Sequence, residues 1–160
     1  MTWESIDIRQ QSALDIRTHV LRILCDQGEA DFACFLSCVS FREAWHYNDV
    51  TCVGVPHLVH RFQALNGRKP ALPGWSPELP LLTEVQSFSS LTVGTNPERG
   101  RHIVGLEGSD IADLAHAVIY KERHFIGLVV VVRSQGACYS PSELNVLNDA
   151  LPQVADLLYT

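Results

Sequence analysis

No apolar run in this chain approaches the roughly 20 residues that a bilayer-spanning helix needs, so the sequence predicts no membrane span. Nor is there a concentration of positive charge. Twelve Lys and Arg stand against 18 Asp and Glu, a net charge of −6. The densest basic group, Arg99, Arg101 and His102, holds only two fixed charges. Phosphate backbones are held by clustered cations, so direct nucleic-acid binding by this chain is not expected. The sequence also lacks a Gly-x-Ser-x-Gly elbow, a P-loop, a Gly-x-Gly-x-x-Gly turn and a His-Glu-x-x-His helix. The acids Glu84, Glu98, Glu107, Asp110 and Asp113 fall in expected loops at spacings that suggest no working pair. No catalytic residue and no cofactor are expected. The start, Met-Thr-Trp-Glu-Ser, turns polar at once and carries no secretory signal. The five cysteines, Cys25, Cys34, Cys38, Cys52 and Cys138, are odd in number and sit mostly in apolar runs, which reads as reduced thiols in a cytoplasmic protein. Cys34 and Cys38 share a strand face about 13 Å apart, too far for a disulfide.

What is present is an ordinary globular composition, 46% hydrophobic and 19% charged over 160 residues. With no repeat, linker or low-complexity tract, residues 1–160 read as one domain. The most legible stretch is His116 to Leu158. Two apolar strands, 116–122 and 124–133, meet at a tight Glu122-Arg123 tip. After Ser134-Gln135-Gly136 comes Ser140-Pro141-Ser142-Glu143: a cap, a Pro in the first helical position, and a Glu able to reach back to the cap amide. Leu144, Leu147, Leu151, Val154 and Leu158 then recur at helical spacing, so one stripe faces inward. The stripe runs through Pro152, which predicts one bent helix and not two.

Earlier in the chain the pattern is helical from Ile8 to Gln27. Ala13, Ile16, Val20 and Leu24 share a face, with Leu14 and Leu21 beside it and Arg9, Arg17 and Arg22 toward water. Residues 31–40 are apolar at nearly every position, as a strand covered on both faces requires. Residues 41–49 read as a polar-aromatic connection, Val50–Val55 as a second strand, and 57–65 as a short helix opened by Pro56 and ended by Asn66-Gly67. The four prolines between Arg68 and Pro80 predict an irregular crossing. Beyond it a helix near 76–88, a strand in 91–93 or 102–106, a Gly-rich loop over 94–100 and a helical turn at 110–114 are expected.

This order of elements resembles GAF-type sensor domains. The likeness at residue level lies in Val53-Gly54-Val55-Pro56 with its helix, and in Phe125-Ile126-Gly127-Leu128 through Ser140-Pro141-Ser142-Glu143-Leu144. Within that family the chain is most similar to the N-terminal sensor halves of LuxR-type bacterial transcription regulators. The resemblance implies an α+β fold, GAF/PAS-like, whose central antiparallel β-sheet carries the N- and C-terminal helices on one face and a small-ligand pocket on the other. LuxR-type regulators continue into a helix-turn-helix, whereas this sequence ends at Leu158-Tyr159-Thr160. It therefore reads as an excised sensor half or as a domain acting through a protein partner. Trp45, Tyr47, Asp49 and Trp75 loosely match the pocket chemistry of the acyl-homoserine-lactone branch, but their spacing transfers no roles, and no lactone is inferred.

The residues expected to meet a small-molecule ligand are Trp45, His46, Tyr47, Cys52, His57, Arg61 and Trp75. Trp45-His46-Tyr47 packs three amphipathic rings before a strand, suiting either a core edge or a pocket rim. His57, His60 and Arg61 sit one turn apart on the short helix, but no zinc spacing completes them, and no metal is expected. Mid-strand Gly127 predicts a ring or bulge against its backbone. Two apolar-striped terminal helices predict a homodimer through those helices. The functional expectation is a non-catalytic regulatory sensor; the alternative is a ligand-free adaptor or dimerisation module whose pocket is filled by its own side chains.

Overall fold

Strict alternation along two long strands assigns nearly every core residue to one face or the other of a single sheet. The computed structural model describes residues 2–41, 44–68, 87–90, 111–122 and 124–159. After a short 3-10 turn at Trp3–Ser5, the elements run α1 (Ala13–Gln27), β1 (Phe32–Phe41), β2 (Ala44–Tyr47), β3 (Thr51–Gly54), α2 (Pro56–Gln63), β4 (Ser89–Ser90), β5 (Asp113–Lys121), β6 (His124–Arg133) and α3 (Pro141–Leu158). The six described strands form one antiparallel sheet in the order β2-β1-β6-β5-β4, with β3 also pairing β1. The expected α+β architecture is the observed one.

β2 and β3 lie along the same edge of β1. Cys38 faces Tyr47 and Phe35 faces Thr51, so three residues, 48–50, oppose the two residues Leu36 and Ser37. Asp49 in this bulge takes a φ of 53°. On the other side β1 pairs with β6, and β6 with β5. A second bulge falls at Ile119/Tyr120, opposite Gly127. Gly127 has φ 152°, and a Cβ there would meet Leu36 O at 2.3 Å and the Phe35 ring at 2.9 Å. Both the ring and the bulge expected there are present, and only glycine fits.

On the first face α1 and α3 cover Ala33, Phe35, Ala115, Ala117, Ile119, Val129 and Val131 with Ile16, Val20, Leu21, Leu24, Leu147, Leu151, Val154 and Leu158. Burying a side chain of this kind is worth about 1.5–3 kcal/mol, so this layer supplies much of the folding free energy. On the second face Phe32, Cys34, Leu36, Leu114, Leu128, Val130 and Val132 lie under Leu58 and Phe62 of α2. The capping box at Ser140 and Glu143 is present, and α3 runs through Pro152 as one helix.

Four local expectations are corrected. The first helix begins at Ala13, not Ile8, because Ser12 caps it by accepting from the Asp15 amide at 3.1 Å, and Asp7 O already turns the chain by accepting from Gln10 and Gln11. Ala13 and Leu14 are exposed, and Arg17 lies 5.4 Å from the Phe35 ring centroid, not out in water. Residues 44–47 are a strand and not a connection, since the hairpin with β1 supplies pairing that local composition does not. Asp113 and Leu114 open β5 where a helical turn was expected, with Asp113 paired to Arg133 in register. The segments 69–86 and 91–110, with the expected crossing loop and Trp75, lie outside the described residues.

Candidate functional site

Cross-strand pairing brings three of the expected ligand residues to the second face. Trp45 and Tyr47, two apart on β2, share that face, and Cys52 of β3 joins them. Tyr47 is 3% exposed, while Trp45 and Cys52 are half-buried. Trp45 meets Phe125 edge-on with ring centroids 5.0 Å apart, and Phe125 in turn lies 6.2 Å from Tyr120. His46 points to the opposite side of β2 from its neighbours. His57 and Arg61 are exposed on α2, whose inward residues are Leu58 and Phe62. Phe62 packs against Phe32 with the rings tilted and their centroids 5.0 Å apart. Among the described residues no group of three or more metal-ligating side chains comes together.

The Tyr47 hydroxyl is the unusual group of this face: it is buried and has no hydrogen-bond partner among the described residues. Burial pushes its pKa up, with the nearby Cys38 and Cys34 adding to the shift, so it stays a neutral donor. An orphaned buried hydroxyl costs about 1–3 kcal/mol, a cost that a ligand's acceptor would remove. Tyr139, on the first face, has an orphaned hydroxyl too. Its ring, however, carries the Arg133 guanidinium at 4.0 Å, which gives it a packing role.

Cys52 also lines an open groove of about 590 Å³ that runs along β3 between α1 and α2. Thr18, Arg22, Cys25, Val53 and Val59 form its other walls. Gly54 at its end has φ 108°, and a Cβ there would lie 2.1 Å from Asp31 O, so glycine alone lets β3 approach the α1–β1 turn.

Two clusters escaped the sequence reading. Arg133, at the end of β6, donates to Gly28 O at 3.0 Å and Ala137 O at 3.2 Å and pairs with Glu143. It thus fastens the central strand to the end of α1 and the start of α3. Glu143 serves twice, accepting from the Ser140 amide at 3.0 Å as well. The Arg133 contact first, and that backbone bond second, bring its pKa down to about 2. Asp113, 2% exposed, accepts from Ser90 Oγ at 2.6 Å, the Tyr139 amide at 2.7 Å and its neighbour Leu114 N at 2.7 Å. The only sequence signal for either cluster was a charge at the end of an apolar strand, which water would have satisfied equally well.

No family model matches the sequence, and no curated protein matches it. Solved structures do. The phycocyanobilin-bound GAF domain of a cyanobacterial phytochrome superposes with a TM-score of 0.62 at 18% identity, covering 98% of this chain and 93% of that one. The GAF domain/HD domain protein from Geobacter sulfurreducens gives 0.58 at 12% identity, covering 92% of each. The GAF domain of a two-component sensor histidine kinase from Bacillus halodurans gives 0.51 at 16%, covering 92% and 94%. At such identities the likeness speaks for architecture alone, and that architecture is the GAF fold.

Proposed function

We propose that the chain is a non-catalytic regulatory sensor domain that takes a small molecule on the sheet face opposite its terminal helices and signals through those helices. The observation that carries this reading is the Tyr47 hydroxyl, buried near Cys38 and Cys34 without a hydrogen-bond partner among the described residues. The GAF neighbours from a phytochrome and a sensor kinase support a sensory role, and one of them holds a bilin. Arg133 supplies the coupling: β6 lines the second face, and its last residue grips both α1 and α3. A ligand moves the helices only so far as it binds one of their arrangements better than another. The exposed Leu14 on α1 and Val146 on α3 support a homodimer through the terminal helices. Control of transcription, as in LuxR-type regulators, is the finer form of the proposal; a helix-turn-helix encoded beside this segment would support it.

The test is a thermal-shift screen of metabolites on the purified chain and its Tyr47→Phe variant. A ligand at 100 times its Kd adds about 2.7 kcal/mol, and Tyr47→Phe should weaken that response. A screen with no response would favour the second reading, a ligand-free adaptor, which has its own support in the packed rings of Phe32, Phe62, Trp45 and Phe125. Light scattering that returns a monomer at high micromolar concentration would remove the dimer.

A further inference from the structure

We infer that Cys34 and Cys52 form an oxidisable dithiol, a site at which peroxide converts the domain to a form with β3 covalently tied to β1. The two residues face each other across the antiparallel β1–β3 pair, and their sulfurs are 3.3 Å apart in a thiol–thiol hydrogen bond. Directly opposed residues of such a pair have α-carbons about 4.5–5.5 Å apart, inside the range of about 4.4–6.8 Å that disulfides span. Bond formation therefore needs a small side-chain rotation and no backbone rearrangement. Their environments divide the work. Cys52 is half-buried and lines the groove of about 590 Å³, where a small oxidant can reach it. Cys34 is fully buried, and burial first, then the contact with Cys52, keeps its thiol protonated and inert toward solvent.

The chemistry balances with hydrogen peroxide as oxidant. Cys52 sulfur attacks one peroxide oxygen, the O–O bond breaks, and a sulfenic acid and water result. Cys34 sulfur then attacks the sulfenic sulfur, the S–OH bond breaks, and the Cys34 proton leaves with the hydroxyl as a second water. Two thiols are oxidised by two electrons in total and one peroxide is reduced. Other pairings are less well placed. Cys38 lies about 13 Å along the strand from Cys34. Cys25 lines the same groove from α1 but faces the first layer, and Cys138 is exposed at the start of the α3 approach. Since β3 pairs with β1 alone among the described strands, the bond would fix the edge strand that floors the groove. This inference stands whether or not a ligand binds at Tyr47.

The experiment treats the full chain with graded hydrogen peroxide, alkylates remaining thiols after denaturation, and maps tryptic peptides. Residues 23–42 carry Cys25, Cys34 and Cys38 on one peptide, so fragment ions must assign the bond to Cys52 on residues 43–61. The expected product in the unaltered chain is an intramolecular Cys34–Cys52 link, reversed by dithiothreitol. Cys52→Ser should lose the linked peptide entirely, and Cys34→Ala should carry Cys52 on to sulfinic acid. A Cys25–Cys52 link would overturn the assignment. So would Cys52 sulfinic acid without any link in the unaltered chain, or Cys34 and Cys52 both still alkylatable at peroxide levels that oxidise exposed Cys138. The unaltered chain alone decides the matter if either variant fails to fold.

Discussion

The two faces of the sheet are built from the same strands yet treat polar groups differently. On the helix-covered face the two most deeply buried ions among the described residues are paired, Arg133 with Glu143, Gly28 O and Ala137 O and Asp113 with Ser90, Tyr139 and Leu114, while the Tyr139 hydroxyl and Arg17 Nε there lack a hydrogen-bond partner. On the other face a tyrosine hydroxyl is left without a partner among thiols and rings. Full pairing of ions suits a face whose task is to hold helices in register. An open donor suits a face whose partner arrives from outside.

The contrast can be broken most forcefully in the core. Leu147→Ala, on the helix face, should cost about 3 kcal/mol in urea unfolding and leave any metabolite response in place. Leu36→Ala, on the second face, should cost a similar amount but weaken the metabolite response. Equal effects of the two on ligand response would erase the distinction. Arg133→Ala comes next, at about 3 kcal/mol, because it strips charged hydrogen bonds from both helices. Its hydrogen exchange should rise at the end of α1 and the start of α3 together, and a rise at only one would mean that the clip does not join them.

Smaller effects sharpen the picture. Tyr47→Phe and Tyr139→Phe each remove an orphaned hydroxyl and should raise stability by up to about 1 kcal/mol without ligand. Only Tyr47→Phe should alter a ligand response. Smallest is the pH dependence. Burial lowers the His116 pKa, and Arg133 lowers that of Glu143 to about 2. Each folded group binds its proton less readily than in the unfolded chain, so each contributes stability at neutral pH that acid removes. Loss through His116 begins as pH falls below its ordinary 6.5; loss through Glu143 runs from its ordinary 4.5 to about 2. The melting midpoint should fall across both windows, with His116→Gln flattening the upper and Glu143→Gln the lower.

Elements with strong local signals were legible in the sequence. Ser140-Pro141-Ser142-Glu143 carries its own instructions, and the apolar runs 32–36 and 128–132 lie, as their composition suggests, inside a sheet covered on both sides. Ala44–Tyr47 was not, because a four-residue strand is set by the partner it folds back on. The site was legible in part. Trp45 and Tyr47 announce themselves as rings, but the opposition of Cys34 and Cys52, 18 positions apart, depends on register, which the intervening residues do not encode locally. The Arg133 clip was not legible, because it joins Gly28, 105 positions away, to Glu143, 10 positions on, across elements that only the fold brings together.

The additional residue in 48–50 acts as a phase shift between β2 and β3. Odd-numbered Tyr47 and even-numbered Cys52 look the same way only because the strand slips by one there. Removing one residue of 48–50 would leave two residues opposite Leu36 and Ser37, so the bulge would vanish while Thr51 still faced Phe35 and Cys52 still faced Cys34. The bulge therefore absorbs a change of chain length that would otherwise turn Cys52 to the wrong side. A one-residue deletion there should leave the two thiols opposed.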